Sequence, residues 1–218
     1  LNAIVTRNRQ VSLRWDNPTV GNAQTFTADI ERRPVTTEAG YPEFVRSFYG
    51  PKSGMATATD GKYVYISIYN EDGRIDKYDL MGNFVASYKI ENIEGIRNIA
   101  YDGEWLYVAD NTTKIHRVDI TTMKNVEDIA ISEYSRHLAF VPTLDGGNGG
   151  FEVGDWQSSI YVAKNGSKLG TGPIYKGASG TAYANGKIYA FEQGNDANKY
   201  TIGIYDFATG ERTGSIDM

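Results

Sequence analysis

Two stretches of the chain repeat one pattern 42 residues apart: residues 58–66 read ATDGKYVYI and residues 100–108 read AYDGEWLYV. In each, an Asp-Gly pair separates two short runs that alternate in polarity, which is the strongest short-range indication of a β-hairpin. A third copy, AYANGKIY at 182–189, has Asn-Gly instead, which forms the same turn. The three stretches predict β-hairpins at equivalent places in a repeating unit.

The repeat continues beyond the hairpins. A third strand, centred on an isoleucine, and then a fourth strand are expected downstream of each hairpin. The third strands centre on Ile30, Ile75, Ile115, Ile160 and Ile202, and the fourth strands centre on Val45, Val85, Val126, Leu169 and Thr213. Both series recur at intervals of 40 to 45 residues. Four strands per unit at this period predict a β-propeller, whereas a β-sandwich would show no fixed long period.

We therefore predict an all-β chain with one propeller domain over residues 1–218 and five four-stranded blades. The blades are expected at about residues 1–50, 51–92, 93–132, 133–172 and 173–218. The first is the least regular, because its second strand around Leu13 lies 53 residues before the next second strand. Terminal repeats are often atypical. The alternative is four blades of a larger propeller preceded by an N-terminal β segment.

Composition narrows the classes of function. The net charge of −5, with no basic stripe, disfavours a nucleic-acid partner. No apolar run approaches the roughly 18 residues that a membrane-spanning helix needs. The absence of cysteine excludes disulfides, thiolate metal sites and cysteine nucleophiles. We predict no cofactor, except that a ring of rim carboxylates and amides could hold Ca²⁺.

Some strands resemble known propeller repeats. WLYVADN at 105–111 and SIYVAKNG at 159–166 resemble NHL-type and YVTN-type repeats, and GGFEVGDW at 149–156 looks like a blade of secreted bacterial propellers. The resemblance covers roughly residues 51–218. It implies an extracytoplasmic bacterial protein, secreted, periplasmic or on the cell surface, that serves in binding or scaffolding.

Candidate ligand-binding residues lie on the channel strands and on one rim. The first strand of each propeller blade lines the channel, and the loops between second and third strands emerge on that rim. The candidates are Asp16, Asn70, Glu71, Asp110, Asp155 and Trp156 at the rim, and Arg97, Arg136 and His137 on the channel strands. The alternative is that the Asp and Asn residues only satisfy turn backbones.

The predicted channel strands, at 55–59, 97–101, 136–140 and 180–183, contain no Asp or Glu. A glycosidase needs two suitably placed carboxyl groups, and no nucleophile-elbow motif is present. We therefore predict a non-catalytic binding or scaffolding propeller, with no catalytic residues, that recognises a glycan, peptide or partner protein through its loop rim. The alternative is an extracellular glycan-active hydrolase or lyase that uses the rim carboxylates Glu71, Asp110 and Asp155.

Overall fold

The computed structural model describes residues 2–5, 11–14, 47–193 and 200–217. The chain divides into two compact units, Leu1–Glu43 and Phe44–Met218. In the first unit, strands β1 (Asn2–Val5) and β2 (Val11–Arg14) pair antiparallel. The strands predicted around Ile30 and Val45, and the candidate residue Asp16, lie outside the described residues.

The second unit contains four antiparallel sheets, each with four strands. Blade 1 consists of β3 (Gly54–Thr59), β4 (Tyr63–Ile68), β5 (Arg74–Asp79) and β6 (Phe84–Lys89). Blade 2 consists of β7 (Asn98–Tyr101), β8 (Trp105–Ala109), β9 (Lys114–Asp119) and β10 (Lys124–Ala130). Blade 3 consists of β11 (His137–Val141), β12 (Gly150–Gly154), β13 (Ser159–Ala163) and β14 (Lys168–Thr171). Blade 4 consists of β15 (Ala178–Ala184), β16 (Lys187–Gln193), β17 (Tyr200–Asp206) and β18 (Arg212–Asp217).

The prediction of five blades is wrong, because residues 47–193 and 200–217 form four four-stranded blades. The prediction assigns residues 1–50 to a blade, but the strands in the described part of this segment are only the β1–β2 pair. The physical reason is visible in the sequence, since this segment has no Asp-Gly hairpin and its second strand is out of the period. The alternative of four blades preceded by an N-terminal β segment is close to the observed arrangement.

The repeated hairpin sequence has a specific hydrogen-bonding role. One carboxylate oxygen of Asp60 accepts hydrogen bonds from the backbone N–H groups of Lys62 and Tyr63, and the other accepts one from the hydroxyl of Tyr65 at 3.0 Å. Asp102 makes the same three kinds of bond in blade 2, where Tyr107 supplies the hydroxyl. The Asp therefore joins the turn to the face of its own blade, which explains why Asp and Tyr recur five residues apart.

The core lies between consecutive blades. Tyr65 and Ile75 of blade 1 pack with Leu106 of blade 2, and Tyr107 of blade 2 packs with Phe151 of blade 3 at 4.5 Å between ring centroids. A third cluster joins blades 3 and 4. Burial of these large side chains is the main favourable contribution to the stacking of the sheets.

The first strands of the four blades line a central cavity. β3 packs against β7, β7 against β11 and β11 against β15. A cavity of about 210 Å³ is lined by residues 57–59, 99–101, 138–140 and 181–183, which are mostly small or apolar. These residues lie in the C-terminal parts of the inner strands, so the cavity is nearer the end that carries the Asp60 and Asp102 turns.

Candidate functional site: the arginine rim

Two arginines and two aromatic residues occupy the opposite end of the inner strands. Arg97 directly precedes β7 and Arg136 directly precedes β11, whereas Tyr69 follows β4 and Trp156 lies two residues beyond β12. An antiparallel pair brings the start of one strand beside the end of its partner. Backbone hydrogen bonds fix both arginines there, since Arg97 N–H donates to the Ala109 carbonyl at 2.7 Å and Arg136 N–H to that of Gly154 at 2.8 Å. We call Tyr69, Arg97, Arg136 and Trp156 the arginine rim.

Each arginine of the rim lies over an aromatic ring. The guanidinium carbon of Arg97 is 4.2 Å from the ring centroid of Tyr69, and that of Arg136 is 3.8 Å from the ring centroid of Trp156. Both distances are within the range of a cation–π interaction. Tyr69 and Trp156 remain 39% exposed, so the aromatic rings hold the guanidinium groups without removing the rim from solvent.

The two guanidinium groups are close enough to influence each other. Burial and the positive charge of Arg97 lower the pKa of Arg136, while the carboxylate of Asp155 acts in the opposite direction. An arginine side chain stays protonated despite such a shift. The rim therefore holds two like charges on a chain whose net charge is −5.

The structure places the candidate rim acids in local interactions. Glu71 forms an ion pair with Arg74 at 2.6 Å, and Asp110 contacts the buried ring of His116 at 2.9 Å. Asp155 accepts hydrogen bonds from the backbone N–H groups of the two residues at 157 and 158, at 2.8 and 2.9 Å. The amide of Asn70 donates to the hydroxyl of Ser53 at 3.3 Å. Each acid or amide thus has a partner that stabilises its own loop or blade.

His137 lies away from solvent, between blades 3 and 4. Its side chain is fully buried, and Nδ1 is 3.2 Å from the carboxylate of Glu152, a contact without hydrogen-bond alignment. Nε2 donates to the backbone carbonyl of Asp155 at 3.1 Å. Glu152 also accepts hydrogen bonds from Ser159 at 2.6 Å and Thr181 at 2.8 Å.

Glu152 and His137 form a buried ion pair. Burial acts to raise the pKa of Glu152, but the charge of His137 and the hydroxyl donors outweigh it and lower that pKa. Burial acts to lower the pKa of His137, but the charge of Glu152 outweighs it and raises that pKa. Sequence reasoning did not identify Glu152. The sign of this residue in the sequence is an acid within the apolar run FEVG at 151–154. Glu152 pairs with Ala139 in blade 3 as Tyr107 pairs with Ala100 in blade 2, so the acid occupies the position of a buried tyrosine.

Two further observations concern metals and membranes. Among the described residues, no group of three or more His, Asp or Glu side chains is gathered as metal ligands would be. Within the same part of the chain, no helix has the length and apolar character to cross a bilayer.

Comparison with known proteins supports the fold. No protein-family model matches the chain, and no curated protein matches its sequence. Similar solved structures include the following three. Hydrazine synthase of Kuenenia stuttgartiensis has 13% identity and a TM-score of 0.51, over 82% of this chain and 53% of that one. Glutaminyl cyclase of Myxococcus xanthus has 18% identity and a TM-score of 0.61, over 76% and 70%. The Pan2 WD40 domain of Neurospora crassa has 15% identity and a TM-score of 0.51, over 77% and 50%.

Together, the four blades and these neighbours identify the chain as a β-propeller. The chain spans about half the length of the hydrazine synthase chain (53%) and of the WD40 chain (50%). At these identities the similarity shows the fold alone. The resemblance to NHL-type and YVTN-type repeats stays a prediction.

Proposed function

We propose that this chain is a non-catalytic binding propeller whose ligand, a glycan, peptide or partner protein, docks on the arginine rim. The observation that carries the proposal is that Arg97 and Arg136 lie over half-exposed aromatic rings. Neither arginine has a carboxylate partner in the described part of the chain. Binding sites are enriched in arginine, tryptophan and tyrosine because these side chains offer large, rigid contact areas together with polar donors. The extracytoplasmic setting implied by the sequence resemblance remains part of the proposal.

The state of the rim carboxylates argues against the alternative of a glycan-active enzyme. A two-carboxylate glycosidase needs one acid that stays protonated, which requires a raised pKa. Burial acts to raise the pKa of Asp110, but His116 and Thr112 outweigh it and lower that pKa. The pKa of Asp155 is also lowered, because the backbone and hydroxyl donors of its turn outweigh burial. Both groups are therefore ionised and held by structural donors.

The proposal is tested by binding measurements on immobilised glycans and synthetic peptides with the wild-type chain and two variants. Trp156→Ala removes the aromatic support of Arg136, and we expect it to weaken binding of any retained ligand at least about tenfold. Phe84→Ala is the matched control, because Phe84 is a 58% exposed aromatic residue on the outer strand β6. We expect this control to bind as the wild type does.

Two outcomes would contradict the proposal. One is a ligand whose affinity is unchanged by Trp156→Ala. The other is turnover of an extracellular polysaccharide that is lost when Asp110 or Asp155 is changed to Ala, since this would support the enzyme alternative.

A further inference from the structure

The arginines of the rim differ from the other arginines whose side chains are described. Arg74 pairs with Glu71 and Asp76, and Arg212 pairs with Glu192. Arg97 and Arg136 are the two that have no carboxylate within salt-bridge distance among residues 47–193 and 200–217. The unpaired arginines of this part of the chain are thus both at one end of the propeller.

Arg117 provides the most informative comparison. Its guanidinium carbon lies 4.9 Å from the ring centroid of Trp105, so it too is stacked on an aromatic residue. It nevertheless pairs with the carboxylate of Glu127 at 3.1 Å. Stacking on a ring therefore leaves the donor edge of a guanidinium group free for a carboxylate, and at the rim the chain supplies none.

The hydrogen-bond donors that remain free at the rim are the terminal NH2 groups (Nη) of the two guanidinium groups. The Nε atoms of Arg97 and Arg136 are buried and unbonded, whereas the Nη atoms are not buried. Each guanidinium carbon lies over an aromatic ring that restrains the group, and the Nη donors of a guanidinium group share one plane. Planar, fixed donors of this kind match the oxygen atoms of a carboxylate or phosphate, and water-exposed lysines do not offer the same geometry.

Two carboxylates, those of Asp155 and Glu133, lie near the rim, and both lie within hydrogen-bond distance of the Ser158 hydroxyl. Asp155 attracts Arg136, but its carboxylate is held by the backbone at residues 157 and 158 and by the hydroxyl of Ser158. That hydroxyl also lies 3.1 Å from the carboxylate of Glu133, and its single proton is donated to one of the two acids at a time. Arg97 and Arg136 still repel each other, and an anion placed between them would remove that repulsion.

We infer that the arginine rim binds an oxyanion, a carboxylate, sulfate or phosphate group, through the terminal amino groups of Arg97 and Arg136. This inference rests on the proposed function and names the chemical class of its ligand. The oxyanion belongs either to a free inorganic ion or to an acidic polymer, and the two sources share the same contacts.

The test is a titration by isothermal calorimetry at low salt with four probes: sodium sulfate, sodium phosphate, polygalacturonate and neutral dextran. We expect an oxyanion to bind and dextran not to bind. Binding should weaken as NaCl rises, because the interaction is between charges. Tighter binding of polygalacturonate, per charge, than of sulfate or phosphate would assign the site to an acidic polymer, and equal binding per charge would assign it to the free ion.

Variants connect the binding to the two arginines. We expect Arg136→Gln and Arg97→Gln each to weaken oxyanion binding by about 10-fold or more, the loss typical of a charge-assisted hydrogen bond. Arg136→Lys keeps the charge but loses the planar donors, so it should recover only part of the affinity. Arg117→Gln is the control, because it removes another arginine that lies over an aromatic ring, away from the rim, and it should bind as the wild type does.

The inference and the proposed function fail in different ways. Oxyanion binding that is equal in the wild type and in the Arg97→Gln/Arg136→Gln double variant would overturn the inference. A neutral ligand that is lost in Trp156→Ala but bound fully by the double variant would also overturn it and would leave the proposed function intact. Absence of binding to every glycan, peptide and ion tested would overturn both.

Discussion

Replacing Glu152 with glutamine removes one charge from a fully buried ion pair while nearly preserving the volume of the side chain. In the wild type, the carboxylate faces His137 at 3.2 Å and accepts two hydroxyl hydrogen bonds. Both members are completely buried. Removal of one partner from a buried pair costs about 3–5 kcal/mol, because the remaining charge must stay unpaired or be neutralised. We expect Glu152→Gln near the lower limit, about 3 kcal/mol less stable than the wild type, since the amide oxygen still accepts one of the two hydroxyl hydrogen bonds.

The loss should depend on pH in a defined direction. Glu152 raises the pKa of His137 above its ordinary value of 6.5. The stabilisation that His137 provides is therefore complete below pH 6.5 and is lost as the pH rises through the higher pKa of the folded state. The pKa of Glu152 is lowered by His137, so its contribution is complete above 4.5 and is lost as the pH falls. The difference in stability between wild type and variant is therefore largest between pH 4.5 and 6.5.

The assay is urea unfolding followed by circular dichroism at several pH values. Glu127→Gln is the control, because it breaks the exposed pair between Glu127 and Arg117, which is worth at most about 1 kcal/mol. A Glu152→Gln variant that loses no more stability than Glu127→Gln, or that shows the same loss at every pH, would refute the assignment of a buried ion pair.

Three further predictions concern the blades. Asp60→Ala removes the acceptor of two backbone N–H groups and of the Tyr65 hydroxyl, and urea unfolding should show a loss of about 1–3 kcal/mol. Gly203→Ala would place a Cβ 2.5 Å from the buried carboxyl carbon of Glu192. Because Arg212 and the Tyr205 hydroxyl hold that carboxylate in place, we expect a loss of about 1–3 kcal/mol. The control Gly170→Ala meets only an ordinary 3.7 Å contact, and equal thermal stability of the two variants would contradict this prediction. The carboxylates at 110 and 128 outweigh burial and raise the pKa of His116, so an NMR titration should find its midpoint above 6.5, and a midpoint below that value would be contrary to the structure.

The blades could be predicted from the sequence because the hairpin turn has a local chemical cause. The carboxylate of Asp60 or Asp102 binds backbone amides two and three residues away, and the tyrosine five residues away completes the motif. Because these bonds join residues that are close in the chain, the residues that form them recur at a fixed spacing in the sequence. The isoleucine series likewise marked third strands at β5, β9, β13 and β17. The N-terminal segment offered strand-like runs without this turn chemistry, and counting it as a blade was the error.

The candidate site could be predicted only in part. The sequence predicts Arg97 and Arg136 as candidates because they begin two predicted channel strands, but their stacking on Tyr69 and Trp156 depends on three-dimensional geometry. His137 was expected beside the channel, although the structure places its side chain between blades. Successive side chains of a strand point to opposite faces, so an error of one position moves a residue from channel to interface.

The most direct test of the central claim, that ligand binds at the arginine rim, is chemical-shift mapping by NMR with the tightest-binding probe. The largest shifts are predicted at Tyr69, Arg97, Arg136 and the indole N–H of Trp156. Shifts that instead concentrate at the opposite end of the inner strands, around the Asp60 and Asp102 turns, would contradict it.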